Sequence, residues 1–413
     1  MELRTELIYL SDRSQLEFSA RVLEIRERVK DVVTILDRTA FFPAGGGQPG
    51  DGGELDSVPV YDTTIEDGEV LHHSERRPPF GEGDTILGRV DGPRRMDHSR
   101  QHTAQHLISA VLARKLGANT LSFHLGAREC TVDFDISPDA IDREILDGLE
   151  SQINAFVMQN LPVLVDYAGE ADETSMEYRK APAEDLRGPL RLVTIGDDLD
   201  VSACCGTHTR NTGEIGPIFL EDTSRVRGGL RLTFLAGDRA LGRNLERRNL
   251  LVRLASRLET PVRDLAARVE NILSERDELI AKMKAAASSL AALRARELVR
   301  RSRNAFLLEE TWDESEVPDE NYPRAVAAQL PEDHDWVFVA GLISEDAVRV
   351  TMTRSPRSEV DLTGKPLKLF RKLGGRGGGS PDLVRGAIGP EDYRAFARAL
   401  RTHLDSDGAR DGV

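Results

Sequence analysis

With 413 residues, 39% of them hydrophobic and 30% charged, the chain has the make-up of a soluble globular protein long enough for two or three domains. A formal net charge of -15 excludes a nucleic-acid binder that works by positive charge over its whole surface, and no apolar run reaches bilayer length. Three cysteines, Cys130, Cys204 and Cys205, make no disulfide framework, and the N-terminus lacks the signature of a signal peptide. A cytoplasmic location is therefore expected, where cysteines are buried, catalytic or metal-bound.

Taken in chain order, residues 1–91 alternate β-rich runs (DVVTILDRTAFF, VPVYDTTI, TILGRV) with Gly, Pro and Asp clusters, which predicts an N-terminal β-barrel. Across residues 92–241 an apolar helical pattern after Gln101 and a second helix in DAIDREILDGLESQINAFVMQN join the strand-like runs TVDFDI, LRLVTI and LRLTFLAG. That mixture predicts an α+β layered domain, and α+β is the fold class expected overall. Residues 242–304 predict a helical linker or coiled coil, in which a long helix begins after ETP with Thr260 as cap and Pro261 in the first helical position. Val262, Leu265, Val269, Ile272, Leu279, Met283, Ala286, Leu290 and Leu293 keep a 3-and-4 spacing that only Arg276 interrupts. Such a seam predicts either a coiled coil with a second copy or packing along its own domain. Residues 305–413 predict a C-terminal α/β domain: strands in DWVFVAG and AVRVTMTRS, the glycine-rich GGRGGGSPDLVRGAIG, a closing helix in PEDYRAFARALRTHL and a disordered tail. Three short basic spans, GPRRMDHSRQH, TSRVRGGLRL and LKLFRKLGGRGGG, suit the docking of one polyanion on an otherwise acidic body.

The chemistry starts at QHTAQHLISAVL. His102 and His106 are four apart and share one helix face, while Ile108, Leu112 and Leu116 take another azimuth. Further on, SACCGTHTRNTGEIG sets Cys204 and His208 four apart with Gly206 between them. A thiolate and three imidazoles suit Zn²⁺ in type and number, one ion per chain. A zinc-protease helix needs Glu directly after its first histidine, and Thr103 stands there. A thiol protease built on Cys204 and His208 would leave the other histidine pair idle. A structural zinc knot stays open, because four protein ligands close the coordination sphere. A third stretch, RTAFFPAGGGQPGDGG, places Thr39 at the end of a strand pattern, followed by Phe42, Pro43, Gly45, Gly46, Gly47 and Gln48. Successive glycines allow close backbone approach, and their N–H groups can form an anion nest or oxyanion hole; a sharp hairpin turn is the plainer reading.

These three stretches in this order, from Thr39 to Gln48, then His102-Thr103-Ala104-x-His106, then Cys204-x-Gly206-Thr207-His208 with NTGEIG behind, resemble the editing domain of alanyl-tRNA synthetase. The resemblance is closer still to the free-standing alanyl-tRNA editing proteins of the AlaX family, and it covers roughly residues 1–240. Cys205 stands where that family usually has glycine; the spacing to His208 favours Cys204 as the metal-binding thiol. GGRGGGSPDLVRGAIG resembles the glycine-rich signature of the domain that ends alanyl-tRNA synthetases and some phosphoesterases, whose Asp-His-His motif is absent here. It is no dinucleotide fingerprint, since Pro381 follows and no strand-Gly-helix unit frames it.

The resemblance to the long AlaX form implies a deacylase acting in trans and without ATP on mischarged tRNA(Ala), chiefly Ser-tRNA(Ala) and then Gly-tRNA(Ala), the pairs an alanine pocket excludes poorly. It implies no aminoacylation, as the chain begins at the barrel. Zn²⁺ on His102, His106, Cys204 and His208 would anchor the terminal adenosine or aminoacyl group, or lower the pKa of a bound water. Thr39 and Gln48 are the expected catalytic pair, with Thr39 offering its hydroxyl to the substrate side chain. Gly45, Gly46 and Gly47 would line the acyl pocket, Arg376 would meet tRNA, and the helical region would join a homodimer. Two rival readings are a non-catalytic zinc-stapled tRNA-binding or dimerisation module, and editing of another tRNA such as threonyl-tRNA; the GGGQP loop favours alanine.

Overall fold

The computed structural model describes residues 5–168, 178–179, 190–302 and 305–408, in two compact units, Met1–Arg253 and Leu254–Val413. The first unit opens with β1 (Glu6–Leu7) and a single helical turn, α1 (Ile8–Ser11). It continues through β2 (Glu17–Glu27), β3 (Val32–Leu36), β4 (Arg38–Thr39), β5 (Gly53–Leu55), β6 (Val58–Val60), β7 (Asp62–Glu66), β8 (Glu69–Ser74) and β9 (Thr85–Val90). Seven of these strands form one sheet in the order β6-β5-β9-β2-β3-β8-β7, curled into a nearly closed barrel, and β1 pairs in parallel with β4. Strand β2 shows why the sheet curls around a dry centre: Phe18, Ala20 and Val22 alternate inward between exposed neighbours and meet Leu36, Phe41 and Ile86.

The helix expected behind Gln101 is α2 (Gly92–Leu116). Asp91 caps it by accepting from the Arg94 amide, Pro93 lies in its first turn, and Gly117 closes it at φ 65. Leu107, Ile108, Val111 and Leu112 enter an apolar core, while its histidines face another way. Around α2 lie β10 (Thr120–Leu125), β11 (Cys130–Phe134), α3 (Arg143–Met158), β12 (Val163–Ala168), β13 (Leu190–Ile195), β14 (Asp200–Ala203), β15 (Ile218–Val226) and β16 (Gly229–Ala236). They form the antiparallel sheets β10-β11-β16-β15 and β12-β13-β14. Asp142 caps α3, which buries Leu146, Leu149, Ile153 and Val157 at helical spacing. Barrel and layers together give the α+β architecture that the sequence predicts.

The helical stretch at 242–304, with a helix start expected after ETP, holds two helices, α4 (Gly237–Arg257) and α5 (Leu265–Ser302). Glu259 at φ 50 turns the chain, and a 3-10 turn over Val262–Asp264 follows Pro261. Thr260 therefore does not cap this helix as expected: Pro261 holds the cap position, without a side-chain hydrogen bond. Of the expected seam, Leu279, Met283 and Leu293 stay 59%, 67% and 62% exposed, while α5 buries a different stripe, Ala291, Ala295 and Leu298, against its own unit.

The second unit adds β17 (Leu307–Asp313), α6 (Tyr322–Ala327), β18 (Val337–Ile343), β19 (Val348–Arg354), α7 (Lys365–Lys372), β20 (Arg376–Ser380), β21 (Leu383–Ile388) and α8 (Pro390–Gly408). The sheet runs β17-β18-β19-β21-β20, with β17 and β18 parallel and the other pairs antiparallel. Strand β18 is covered on both faces, Val337 and Val339 toward Phe370 and Phe396, Phe338 and Ala340 toward Trp312 and Tyr322, which is why it reads as an unbroken apolar run. The closing helix extends to Gly408, so Asp405–Gly408, expected in the disordered tail, are helical; the rest of that tail, 409–413, lies outside the described residues. Among the described residues no helix is long and apolar enough to cross a membrane.

Candidate metal centre

Helix α2 and the loop after β14 bring four donors together. His102, His106, Cys204 and His208 each offer one ligand atom, and these atoms lie within 4.8 Å of one another. The ring centroids stand 5.2 Å (His102–His106), 4.5 Å (His102–His208) and 4.8 Å (His106–His208) apart. Cys204 Sγ lies 3.5 Å from His102 Nε2 and 3.3 Å from His208 Nε2. Cys205 is exposed and stands outside this group.

Each imidazole is aimed by a partner on its other nitrogen. His102 Nδ1 meets Gln48 Oε1 at 2.8 Å, His106 Nδ1 meets Asp200 Oδ2 at 2.8 Å, and His208 Nδ1 meets Thr103 Oγ1 at 3.2 Å. With Nδ1 committed in every ring, Nε2 is the atom left to face the centre, the arrangement that a metal-binding histidine needs. Asp200 is itself held by Arg179, whose Nε and Nη2 donate to its two oxygens at 2.5 and 3.1 Å.

The electrostatics agree with the geometry. Burial pulls the imidazole of His102 below its ordinary value and that of His208 down to about 3, so both rings are neutral. Burial acts the same way on His106, but Asp200 and the Cys204 thiolate together outweigh it and the value rises. Burial alone would raise the Asp200 carboxyl; His106 and Arg179 reverse this and hold it well below the usual carboxylate range. The Cys204 thiol is likewise pushed up by burial, yet the adjacent His102 and His208 rings bring it well below its ordinary value. A thiolate beside imidazole nitrogens is the donor set a soft or borderline divalent cation takes.

His102, His106 and Cys204 line a cavity of ≈ 460 Å³ whose wall includes Phe42, Gly45, Gly46, Phe123 and Leu190. Gly206 sits between the donors because only glycine fits: a Cβ there would come within 2.2 Å of His102 and 2.9 Å of Gln48 Oε1. Gly45, Gly46, Gly47 and Gln48 form a tight turn, with the Gln48 amide bonded to the Gly45 carbonyl at 3.0 Å and both central glycines at positive φ, +57 and +85. A buried ion pair clamps this loop onto α2: Asp51 takes the Phe42 amide at 2.7 Å and Arg95 Nε at 2.8 Å, and Arg95 also reaches the Ala40 carbonyl.

Gly45 and Gly46 thus lie at the cavity, as expected, but the pair Thr39 and Gln48 does not. Thr39 is fully buried, its hydroxyl 2.8 Å from His72 Nε2 and accepting from the Phe41 amide at 3.1 Å. It follows the strand's alternation away from the pocket, so its hydroxyl has no place for a substrate side chain. Gln48 spends its amide inside the protein, accepting from the Thr207 amide and donating to Thr207 Oγ1 besides holding His102. It aims a donor rather than touching a ligand. Gly47 is packed under Phe123, and Arg376 is exposed on β20 in the other unit.

Several residues of the site carry no motif. Asp200 and Ser202 precede Cys204 at the two-residue period of a strand, a signal that could have found Asp200. Arg191 was legible only as a charge inside the otherwise apolar run LRLVTI; Arg179 and Tyr9 had no local signal.

The comparisons with known proteins address this same region. Residues 190–232, which contain β13, Cys204 and His208, match the family model described as the threonyl and alanyl tRNA synthetase second additional domain. The alanine--tRNA ligase of Methanothrix thermoacetophila is 31% identical over 398 residues, 93% of this chain and 42% of the relative. That of Korarchaeum cryptofilum is 30% identical over 420 residues, 97% of this chain and 45% of the relative. That of Natronomonas pharaonis is 34% identical over 287 residues, 66% and 30%. The chain spans less than half the length of the curated relatives it matches. With the glycine loop, the His-x-x-x-His helix and the Cys-x-Gly-Thr-His loop gathered at one cavity, the chain belongs to the AlaX-like relatives of the alanyl-tRNA synthetase editing region.

Proposed function

We propose that this chain hydrolyses the ester of mischarged tRNA(Ala), Ser-tRNA(Ala) first and Gly-tRNA(Ala) second, at the cavity beside the His102, His106, Cys204 and His208 quartet. The single observation that carries this reading is that quartet opening onto a cavity: a zinc knot serving stability alone has no use for one. The donor chemistry fits Zn²⁺, one per chain, with Cys204 as its thiolate, and the ion would supply positive charge beside the acyl ester. Gln48, Asp200 and Thr103 hold the three imidazoles in place. The Gly46 amide borders the cavity without a partner among the described residues and can donate to the oxygen on which charge develops. Apolar walls from Phe42, Phe123 and Leu190 exclude bulk water from the ester.

The tRNA body would meet Arg376 and its neighbours in the C-terminal unit. The exposed seam of Leu279, Met283 and Leu293 is the surface for homodimer formation. A single-turnover assay on Ser-tRNA(Ala) with zinc-loaded and chelator-stripped protein tests the reading. Hydrolysis that zinc restores supports it; equal rates with and without metal, or none with either, rule it out.

A further inference from the structure

Two polar groups in the cavity wall keep donors that no described residue uses. Arg191 on β13 is 5% exposed and lines the cavity, yet it has no carboxylate partner among the described residues. Its Nη1 donates to the carbonyls of Cys204 and Gly206 at 2.6 and 3.0 Å, its Nε has no hydrogen-bond partner, and its Nη2 makes no bond among the described residues. Tyr9 on α1 is 4% exposed and lines the same cavity, with its ring edge-on to Phe42 at 5.4 Å. Its hydroxyl makes no hydrogen bond among the described residues and is not one of the sealed-off polar atoms. Burial keeps the phenol protonated, so it is an O–H donor, and the Arg191 charge reaches it.

The protein holds this arrangement firmly. The segment around Tyr9 is tied down by the β1–β4 pairing of Leu7 with Thr39, by Tyr167 Oη on the Leu10 carbonyl at 3.1 Å, and by Arg13 Nη1 on the carbonyls of Val163 and Thr209 at 3.2 and 3.0 Å. Among the described residues no Asp or Glu lines the cavity, and the other arginine in its wall, Arg179, is committed to Asp200. Among the described residues the negative charge beside Arg191, the Cys204 thiolate, belongs to the metal quartet, and Asp51, whose charge reaches Tyr9, is paired with Arg95. A buried guanidinium without a counter-charge is costly, and a ligand that brings the anion removes that cost.

We propose that Arg191 and Tyr9 together receive a phosphate oxygen of the nucleotide that enters this cavity. Guanidinium and phosphate match in charge and planar geometry, and the phenol adds a neutral donor. An ester carbonyl is the weaker candidate, because it carries no full charge until it is attacked. Naming the phosphate as the one that joins the last two nucleotides of a tRNA end rests on the function proposed above; the anion site itself does not.

Calorimetric titration of the zinc-loaded full chain with 5′-AMP, adenosine and inorganic phosphate tests it. Wild type should bind AMP about 10-fold more tightly than adenosine, the worth of one charge-assisted contact. Arg191→Met should abolish that preference. Because Arg191 also holds the Cys204 loop, Tyr9→Phe is the deciding variant: it should shrink the preference about 3-fold or more, with zinc content and melting temperature unchanged or higher, since its hydroxyl has no partner to lose. Equal affinity for AMP and adenosine in wild type, or a preference that Tyr9→Phe leaves undiminished, overturns the proposal. Inorganic phosphate binding as tightly as AMP overturns the nucleotide assignment. A wild type that prefers AMP but leaves Ser-tRNA(Ala) intact removes the functional reading and upholds the anion site.

Discussion

The chain contains two glycine runs that look alike in sequence and are used in opposite ways. In FFPAGGGQP the glycines turn the backbone: Gly46 and Gly47 hold positive φ, and Gly47 also sits so close to Phe123 that a Cβ would be 2.8 Å from the ring. In GGRGGGS, Gly374 turns the chain at φ +92, but Arg376–Ser380 form an extended edge strand, β20, none of whose glycines needs positive φ. There the missing side chain is what counts, since a Cβ on Gly377 would come within 2.2 Å of the Arg385 carbonyl and one on Gly379 within 2.0 Å of the Leu383 carbonyl. Glycine count therefore marks a need without saying which: conformational freedom in the first run, absence of bulk in the second.

Substitutions can separate the two needs. The largest effect is expected at Gly206, where closeness serves the donors themselves. Gly206→Ala should displace His102, lowering copurified zinc and cutting Ser-tRNA(Ala) hydrolysis by on the order of 100-fold, in line with loss of a well-oriented ligand; full zinc content in the variant would show that the loop can yield. Next come Gly47→Ala and Gly377→Ala, each expected to cost about 2–3 kcal/mol of stability by thermal melting. Only the first should lower zinc content, because only Gly47 adjoins Gln48, which holds His102; zinc loss in both would end the contrast.

Acidification should distinguish the runs as well. His72, under the first run and bonded to Thr39, is fully buried and brought down to about 4 by desolvation. Between pH 6.5 and 4 the unfolded chain takes up a proton there that the folded chain refuses, so stability is present above that window and falls as pH drops through it, by about 1.4 kcal/mol per pH unit. Hydrogen exchange should show residues 39–48 loosening over this range while β20 keeps its protection; a flat profile at 39–48 would contradict the sign. The smallest effects belong to Gly46→Ala, about 1 kcal/mol for its φ of +57 in open space, and Gly378→Ala, about 0.5 kcal/mol, since its Cβ would meet only Arg371 Nη2 at 3.6 Å. Melting curves that place Gly46→Ala level with Gly47→Ala would show that bulk near Phe123 does not matter.

What was legible in the sequence was whatever a local period or a fixed spacing encodes. The quartet could be read because two i, i+4 pairs of metal-binding types are rare together, and the barrel strands because their alternation is regular. Thr39 was misplaced for a reason of the same kind: it stands beside the glycine loop in sequence, but strand alternation turns its side chain toward His72. Gln48 was found, though its task is to aim His102. The partners that hold the site, Asp200 with Arg179, and Arg191 with Tyr9, come from segments far apart in the chain, and only the tertiary fold brings them together. The break between α4 and α5 falls at Glu259–Pro261, the stretch where Thr260 and Pro261 marked a helix start, and the seam's first residue, Val262, lies in a 3-10 turn.

The cavity has a consequence for how fast a metal ion comes and goes. His102, His106 and Cys204 all form part of its wall, while Gln48, Asp200 and Thr103 hold the rings from behind, in the buried interior. The open side would thus be the route of entry and departure for the ion, and it is also where the proposed nucleotide would sit. A nucleotide in the cavity should act as a stopper: chelators should strip zinc more slowly from protein saturated with AMP than from free protein, though AMP need not touch the ion.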